Sequence, residues 1–181
     1  MLLMHLLNSG RTINNEEIRG ECTLLYIIVK YRLKENNAED FVKEINASGA
    51  ADKVRMEDGC ISYEYFCPGN TPDTVYLLET WESDEQQKIH MEQPHMKTIQ
   101  EIKDKFCDSV TVQFLPQGKY RHYKGNEYEL LYTALHSEEM VPVIVYRALY
   151  GSGCIWVRPA YMWDEQVQVN GECLNRFTYV R

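Results

Sequence analysis

The order of strand-like and helix-like segments between residues 24 and 115 constrains the fold of this chain more than any other feature. Helix patterns fill the intervals after the first and third strand patterns. The predicted order is therefore βαββαβ, a ferredoxin-like α+β domain whose sheet has helices on one face only. The other face requires a cover, and pairing with a second copy predicts a homodimer through this sheet. Four segments have the β-branched, aromatic and alternating composition of strands: Leu24–Leu33, Cys60–Phe66, Thr74–Trp81 and Val110–Leu115.

Local signals set the limits of both helices. Asn37 is predicted to cap the first helix, because its side-chain oxygen can accept a hydrogen bond from a free N–H of the first turn. Ser83 followed by Gln86 has the spacing of a capping box and starts the second helix. Pro94 interrupts that helix, so we expect a bend near Gln93 before the helix resumes.

The chain changes character near Pro116–Gly118. Residues 1–117 hold 12 basic and 20 acidic side chains, which accounts for the net charge of −8, whereas residues 118–181 hold seven of each. The second part also holds eight of the 13 tyrosines. We therefore expect an α+β domain at residues 24–116 and a small all-β, barrel-like domain at residues 117–181. Five short strand patterns support the second domain: Tyr120–Tyr123, Glu127–His136, Val141–Tyr150, Ile155–Met162 and Arg176–Val180.

Residues 1–23 fit neither domain. The opening MLLMHLL is too short and too uncharged for a secretory signal, and the polar residues 8–21 lack periodicity. We interpret residues 1–23 as disordered or as a mis-assigned start, with translation beginning near Leu24 or Leu25. A peptide covering Asn8–Arg19 in mass analysis of the native protein would contradict a mis-assigned start.

Composition argues against several classes of function. No apolar run approaches 18 residues, which predicts that no segment spans a membrane. The acidic first part lacks a basic stripe, which argues against nucleic acid as a partner. The six cysteines form no C-x-x-C pair and no clustered Cys/His ligand spacing, so the sequence predicts no metal site. Without an export signal, we expect free thiols and a cytoplasmic location.

Two histidines on either side of Pro94 are the candidate catalytic residues. Neutral imidazole accepts a phenolic proton near neutral pH, so His90 and His95 could act as bases. In the alternative interpretation, His90 packs against the strand below it and His95 lies at the surface after the helix break.

Four side chains of the neighbouring strands are candidates for binding a substrate. Trp81, Tyr63 and Tyr65 could form a wall on which a flat phenolic ring stacks, although alternating aromatics are also typical of a plain core. Glu79 lies on the same strand face as Trp81 and could orient a histidine, or it could be solvated or pair across a dimer.

The second domain carries a candidate ligand surface in which cationic side chains alternate with aromatic ones. Arginine and tyrosine together can bind an anionic or planar ligand by forked hydrogen bonds and stacking. Surface cation–π pairs and salt bridges at the strand rim are the alternative. The candidate residues are Arg121, His122, Arg147, Arg158 and Trp156.

Residues 24–115 resemble the antibiotic biosynthesis monooxygenase-like family of dimeric α/β barrels. The resemblance rests on Gly59-Cys60-Ile61-Ser62-Tyr63-Glu64, then Leu78-Glu79-Thr80-Trp81-Glu82-Ser83, then His90 and His95, in order and at the family's separations. It implies a homodimer with a pocket in each subunit. Some family members oxidise quinols or polyphenols with molecular oxygen and without metal or flavin, whereas others degrade haem. The haem-degrading members use a first-strand asparagine that Leu24–Leu33 lacks, so haem is not expected.

Residues 118–181 resemble a bacterial family of unknown function that brings no known chemistry. The resemblance rests on Gly118–Gly125 (GKYRHYKG), Val145–Gly151 (VYRALYG) and Trp156–Pro159 (WVRP). We expect a cofactor-independent monooxygenase that oxidises a small quinol or polyphenol, fused to a small ligand- or protein-binding β domain. The alternatives are a dimeric protein that binds or senses a small aromatic molecule without turnover, and a fusion in which the β domain carries the role.

Overall fold

The first domain is a four-stranded antiparallel sheet with helices packed on one face. The computed structural model describes residues 23–35 and 37–180, so the predictions for residues 1–22 lie outside the described residues. The elements of this domain are β1 (Leu25–Leu33), α1 (Ala38–Ser48), α2 (Ala50–Arg55), β2 (Cys60–Phe66), β3 (Thr74–Trp81), α3 (Asp84–Met91), α4 (His95–Phe106) and β4 (Cys107–Pro116). The sheet has the strand order β2-β3-β1-β4, which confirms the predicted ferredoxin-like fold.

The helix limits agree with the sequence at two of the three predicted signals. Ser83 is extended and its Oγ accepts a hydrogen bond from the Gln86 backbone N–H, so it caps α3 as predicted. Pro94 separates α3 from α4, which confirms the bend. The predicted cap by Asn37 is wrong, because its backbone is not extended and its buried Oδ1 has no hydrogen-bond partner among the described residues.

Alternation along β1 divides its side chains between two cores. Leu25, Ile27 and Val29 face the helices and belong to the core of the first domain, where Phe41 and Ile45 are fully buried. Full burial of an aliphatic or aromatic side chain contributes about 1.5–3 kcal/mol, so this face supplies most of the domain's stability. The intervening side chains of β1 point to the outer face of the sheet.

The second domain is all-β, as predicted. The strands are β5 (Gly118–His122), β6 (Glu127–Leu135), β7 (Pro142–Ala148), β8 (Ile155–Pro159), β9 (Gln166–Val169), β10 (Glu172–Asn175) and β11 (Phe177–Val180), with a 3₁₀ turn at Ala160–Met162. Five of them form an antiparallel sheet with the order β11-β5-β6-β7-β8, and β9 and β10 form a separate two-stranded hairpin. The hairpin was not predicted from the sequence.

The second domain packs against the outer face of the first sheet. Tyr26 and Ile28 of β1 belong to the same buried cluster as Trp163 and Tyr146 of the second domain. The Tyr26 hydroxyl also donates a hydrogen bond of 3.0 Å to the Leu131 carbonyl. The face that the sequence assigned to a second copy is therefore covered in part by the same chain, and the homodimer stays a prediction. No helix among residues 23–35 and 37–180 is long and apolar enough to cross a bilayer.

Candidate functional site

Three side chains from separate elements converge beside the helix-facing side of the sheet. Glu57 lies in the turn between α2 and β2, His90 lies near the end of α3, and His95 is the first residue of α4. The His90 Nδ1 lies 3.0 and 3.1 Å from the two carboxylate oxygens of Glu57, and the His95 Nε2 lies 2.6 Å from Glu57 Oε1. The structure thus brings the two predicted catalytic histidines together on one carboxylate.

The local sequence explains this convergence. Ser83 fixes the first turn of α3, so His90 is placed on the helix face that is turned toward the sheet. Pro94 ends the first segment and starts the second, so the chain changes direction before His95. Gly59 brings the Glu57 turn close to α3, because a Cβ at Gly59 would meet the Gln86 side chain at 2.3–2.7 Å.

His90 is enclosed by aromatic rings and is only 1% exposed. Its ring centroid lies 4.7 Å from that of Trp81 and 5.8 Å from that of Tyr63. Burial lowers the pKa of His90, and the Glu57 carboxylate opposes this shift without cancelling it. A neutral imidazole that hydrogen-bonds a carboxylate through Nδ1 carries its proton there, which leaves Nε2 as the proton acceptor.

Glu79 lies in the same core, but its carboxylate forms no hydrogen bond with a histidine within the part of the chain that the structure describes. Its Oε2 accepts a bond of 2.9 Å from the indole N–H of Trp81. Burial raises the pKa of Glu79 to about 7, with the Trp81 hydrogen bond acting in the opposite direction. The carboxylate that holds the histidines is instead Glu57, which sequence reasoning did not single out. The only local signal is its position beside the Asp58-Gly59 turn.

The two predicted wall tyrosines are neighbours on β2. Their hydroxyl oxygens lie 3.5 Å apart, and the ring of Tyr65 stacks on Tyr31 with a centroid distance of 6.2 Å. Burial raises the pKa of Tyr65 to about 12 and that of Tyr63 well above its ordinary value. These phenols stay protonated, so they can donate hydrogen bonds but do not serve as bases at neutral pH.

The histidine cluster also offers a set of metal ligands that the sequence prediction missed. One ligand atom from each of Glu57, His90 and His95 lies within 4.8 Å of the others. Two imidazole nitrogens and a carboxylate oxygen suit first-row transition metals. A cation there would replace the two hydrogen bonds that the histidines now make to Glu57.

The candidate surface of the second domain is divided between two faces of its sheet. On one face, Arg121 pairs with Glu127 at 2.9 Å and Arg147 pairs with Glu129 at 3.1 Å.

On the other face, His122 packs against Phe177 with a centroid distance of 4.9 Å. Arg158 donates to the Tyr146 hydroxyl at 3.4 Å and lies over the Phe177 ring. Trp156 is exposed on β8, two residues before Arg158 and on the same face. The five predicted residues therefore do not form one surface: Arg121 and Arg147 lie on one face of the sheet, and the other three lie on the opposite face.

Comparison with known families gives matches to two separate parts of the chain. Residues 24–102 match the family described as "Antibiotic biosynthesis monooxygenase", and residues 118–179 match DUF1653, described as "Protein of unknown function". No curated protein matches the chain.

Solved structures match each half separately. A Pseudomonas aeruginosa protein is 21% identical, covers 52% of this chain and 94% of its own, and has a TM-score of 0.47. A Bacteroides thetaiotaomicron protein described as a possible oxidoreductase is 20% identical, with coverage of 52% and 97% and a TM-score of 0.47. A DUF1653 protein from Bordetella bronchiseptica is 35% identical, with coverage of 36% and 87% and a TM-score of 0.35.

Proposed function

Because this chain joins a domain of the antibiotic biosynthesis monooxygenase family to a DUF1653 domain, we propose that its first domain oxidises a small quinol or polyphenol with molecular oxygen. The observation that carries the proposal is the buried, neutral His90, which is hydrogen-bonded to Glu57 and packed on Trp81. The family resemblance supports the type of reaction, and the geometry supports His90 as the base that accepts the first proton.

The first step of the proposed reaction is proton transfer. His90 Nε2 accepts the proton of a phenolic hydroxyl, and the imidazolium that forms is stabilised by the Glu57 carboxylate at 3.0 Å. The resulting phenolate is electron-rich and reduces oxygen much more readily than the phenol does. The aromatic side chains around His90 limit the access of water, so the phenolate is weakly solvated and more reactive.

The substrate supplies every electron that the reaction requires. A hydroquinone and one molecule of oxygen give a hydroxyquinone and one molecule of water, because one oxygen atom enters the ring and the other is reduced. Trp81 and Tyr63 pack against His90 and are fully buried, so a substrate ring stacks on them only after these side chains move apart.

Oxygen consumption with a panel of hydroquinones and naphthoquinols tests the proposal. We expect His90→Ala to reduce kcat/KM by roughly 10²- to 10⁴-fold, the usual contribution of a positioned base. His136→Ala, which removes an exposed histidine of the second domain, is the matched control and should leave the rate unchanged. Isotopically labelled oxygen should appear in the organic product.

Treatment with a chelator separates this reaction from a metal-dependent one at the same residues. Under the proposal, the dialysed, metal-free protein retains its full rate. A rate that is lost on chelation and restored by a transition metal would instead assign Glu57, His90 and His95 as metal ligands. A wild-type rate equal to that of His90→Ala would rule out the proposed base.

The aromatic side chains packed on His90 also suit a second candidate, a dimeric protein that binds a small aromatic molecule without turnover. Because His90 and Trp81 are almost fully buried, the site has to open before it takes up a ligand in either case. A naphthoquinol that raises the melting temperature and is recovered unchanged under oxygen would support binding alone.

A further inference from the structure

A cleft of about 520 Å³ lies between the two domains, away from the histidine cluster. Ile28, Tyr76 and Gln113 line it from the outer face of the first sheet, and Pro142 and Ala160 line it from the second domain. Its volume falls in the range of small-molecule sites, which often form between domains. Neither domain alone contains both walls.

The contacts beside the cleft fix the distance between its walls. Gln113 donates a hydrogen bond of 3.1 Å from its Nε2 to the Ala160 carbonyl, so one side of the cleft is closed by a direct contact between domains. Tyr26 of the first domain donates a second bond across the domain boundary, to the Leu131 carbonyl at 3.0 Å. The cleft is therefore a consequence of how the domains are joined.

The wall on the second domain is the 3₁₀ turn that follows β8. Trp163 anchors this turn, because it is fully buried and stacks on Phe177 at 4.0 Å with its ring nearly parallel. Tyr161 and Asp164, on either side of that anchor, line the cleft. Tyr161 is 77% exposed, so an aromatic surface is available at the mouth.

The cleft is lined by more negatively charged groups than positively charged ones. Glu139 and Asp164 contribute carboxylates from the second domain, and Lys30 contributes a single cation from the first. None of the three forms an ion pair within 4.0 Å among residues 23–35 and 37–180. Desolvation raises the pKa of the Asp164 carboxyl, and the Gln113 side chain acts in the opposite direction.

We propose that the cleft between the domains binds a small aromatic amine, with the ring against Ile28, Tyr76 and Pro142 and the ammonium group on Asp164. The apolar floor suits the ring, and the excess of carboxylates selects a cation over a neutral or anionic analogue. A ligand held in this way contacts both domains, so its binding stabilises the arrangement of the whole chain. The site is independent of the histidine cluster and of the reaction proposed for it.

Calorimetric titration with tryptamine and with tryptophol tests the proposal, because the two differ in carrying an amine or a hydroxyl. Tryptamine should bind the full-length protein at least about tenfold more tightly, as expected for a hydrogen bond to a charged group. Asp164→Asn should remove that preference. Glu172→Gln, which neutralises an exposed carboxylate on β10, is the matched control and should preserve it.

Two further variants locate the binding site. Thr111→Trp, at an exposed position on the cleft wall, should weaken binding of both compounds while the circular dichroism spectrum stays native. His90→Ala should bind tryptamine as wild type does. The proposal is overturned if tryptamine and tryptophol bind equally, if the preference survives Asp164→Asn, or if neither binds because a second copy closes the cleft.

Discussion

Glu79 and His90 are buried ionisable side chains whose pKa values are displaced for the same reason, the free-energy cost of a charge in the protein interior. Burial raises the pKa of Glu79 and lowers that of His90, so both shifts favour the neutral form. Their effects on stability have opposite pH dependence. The contribution of neutral His90 to the free energy of unfolding is fully present above the ordinary histidine pKa of 6.5. It is lost as the pH falls through the lower pKa that His90 has in the folded protein.

The wild-type protein should lose stability as the pH rises through the pKa of Glu79, and Glu79→Gln should not show this loss. Between 4.5 and about 7 the folded carboxyl keeps a proton that the unfolded one has released, so the free energy of unfolding falls with rising pH. A shift of this size corresponds to ~3 kcal/mol above pH 7. Gln keeps an oxygen that can accept the Trp81 indole hydrogen. Urea unfolding at pH 5 and pH 8 measures the difference.

Glu85→Gln is the control for this comparison, since Glu85 is an exposed carboxylate on α3. It should leave the difference between pH 5 and pH 8 as in wild type. The burial argument would be wrong if Glu79→Gln lost as much stability between the two pH values as wild type does.

Replacing Glu57 with Gln should affect both the rate of the proposed oxidation and its pH profile. The Glu57 carboxylate raises the pKa of His90, so its removal lowers that pKa further. Activity that requires neutral His90 would then persist to lower pH. The plateau rate should fall about 10- to 100-fold, because a weaker base remains and the imidazolium loses its partner. Asp58→Asn, one residue away, should change neither quantity.

The pair Glu57 and Asp58 shows why the site could be predicted from the sequence only in part. The sequence and the family resemblance singled out His90 and His95, on either side of Pro94, as candidate bases. The choice between two adjacent acidic residues depends on the conformation of a turn, which sequence pattern does not specify. Strand alternation alone made Glu79 a plausible partner for a histidine. Its Oε2 instead accepts a hydrogen bond of 2.9 Å from the indole N–H of Trp81.

At the scale of the elements, Ser83 and Asn37 provide a matched pair of predicted caps. Ser83→Ala should destabilise the protein by about 1 kcal/mol, because it removes an acceptor for the Gln86 N–H at the start of α3. Asn37→Ala should cost much less, since its buried Oδ1 accepts no hydrogen bond from the described residues. Urea unfolding of both variants measures the contrast, and an equal loss would contradict the structural assignment of the caps.

The limits of strands and helices could be predicted from the sequence where the spacing of apolar residues and the turn-forming residues indicated the same boundary. One hairpin, formed by β9 and β10, was missed although Asn170-Gly171 marks it, and both residues have the positive φ of a tight hairpin turn. The flanking strands are only four residues each and are mostly exposed, so they lack the apolar alternation on which the prediction relied. Tight-turn residues were more informative there than strand composition.

At the scale of the whole molecule, the two domains share a hydrophobic core. Sequence patterns within each domain could not show this, because the outer-face residues Tyr26 and Ile28 carry the same alternation whether a second domain or a second copy covers them. The arrangement leaves another apolar surface open. Val110, Val112 and Phe114 lie on the helix-facing side of the edge strand β4 and are 39%, 45% and 55% exposed.

Among residues 23–35 and 37–180, β4 pairs with a strand on one side only. This row of exposed side chains at its free edge favours dimerisation through β4, and so through the sheet of the first domain. Sedimentation equilibrium should give about twice the chain mass of 21.3 kDa. Phe114→Asp should weaken the dimer by roughly tenfold or more, because it places a charge in an apolar contact. Ile155→Asp, a change at an equally exposed apolar position on β8, is the control and should leave the mass unchanged. A wild-type protein that stays monomeric at high concentration would contradict the homodimer and leave the second domain as the cover of the sheet.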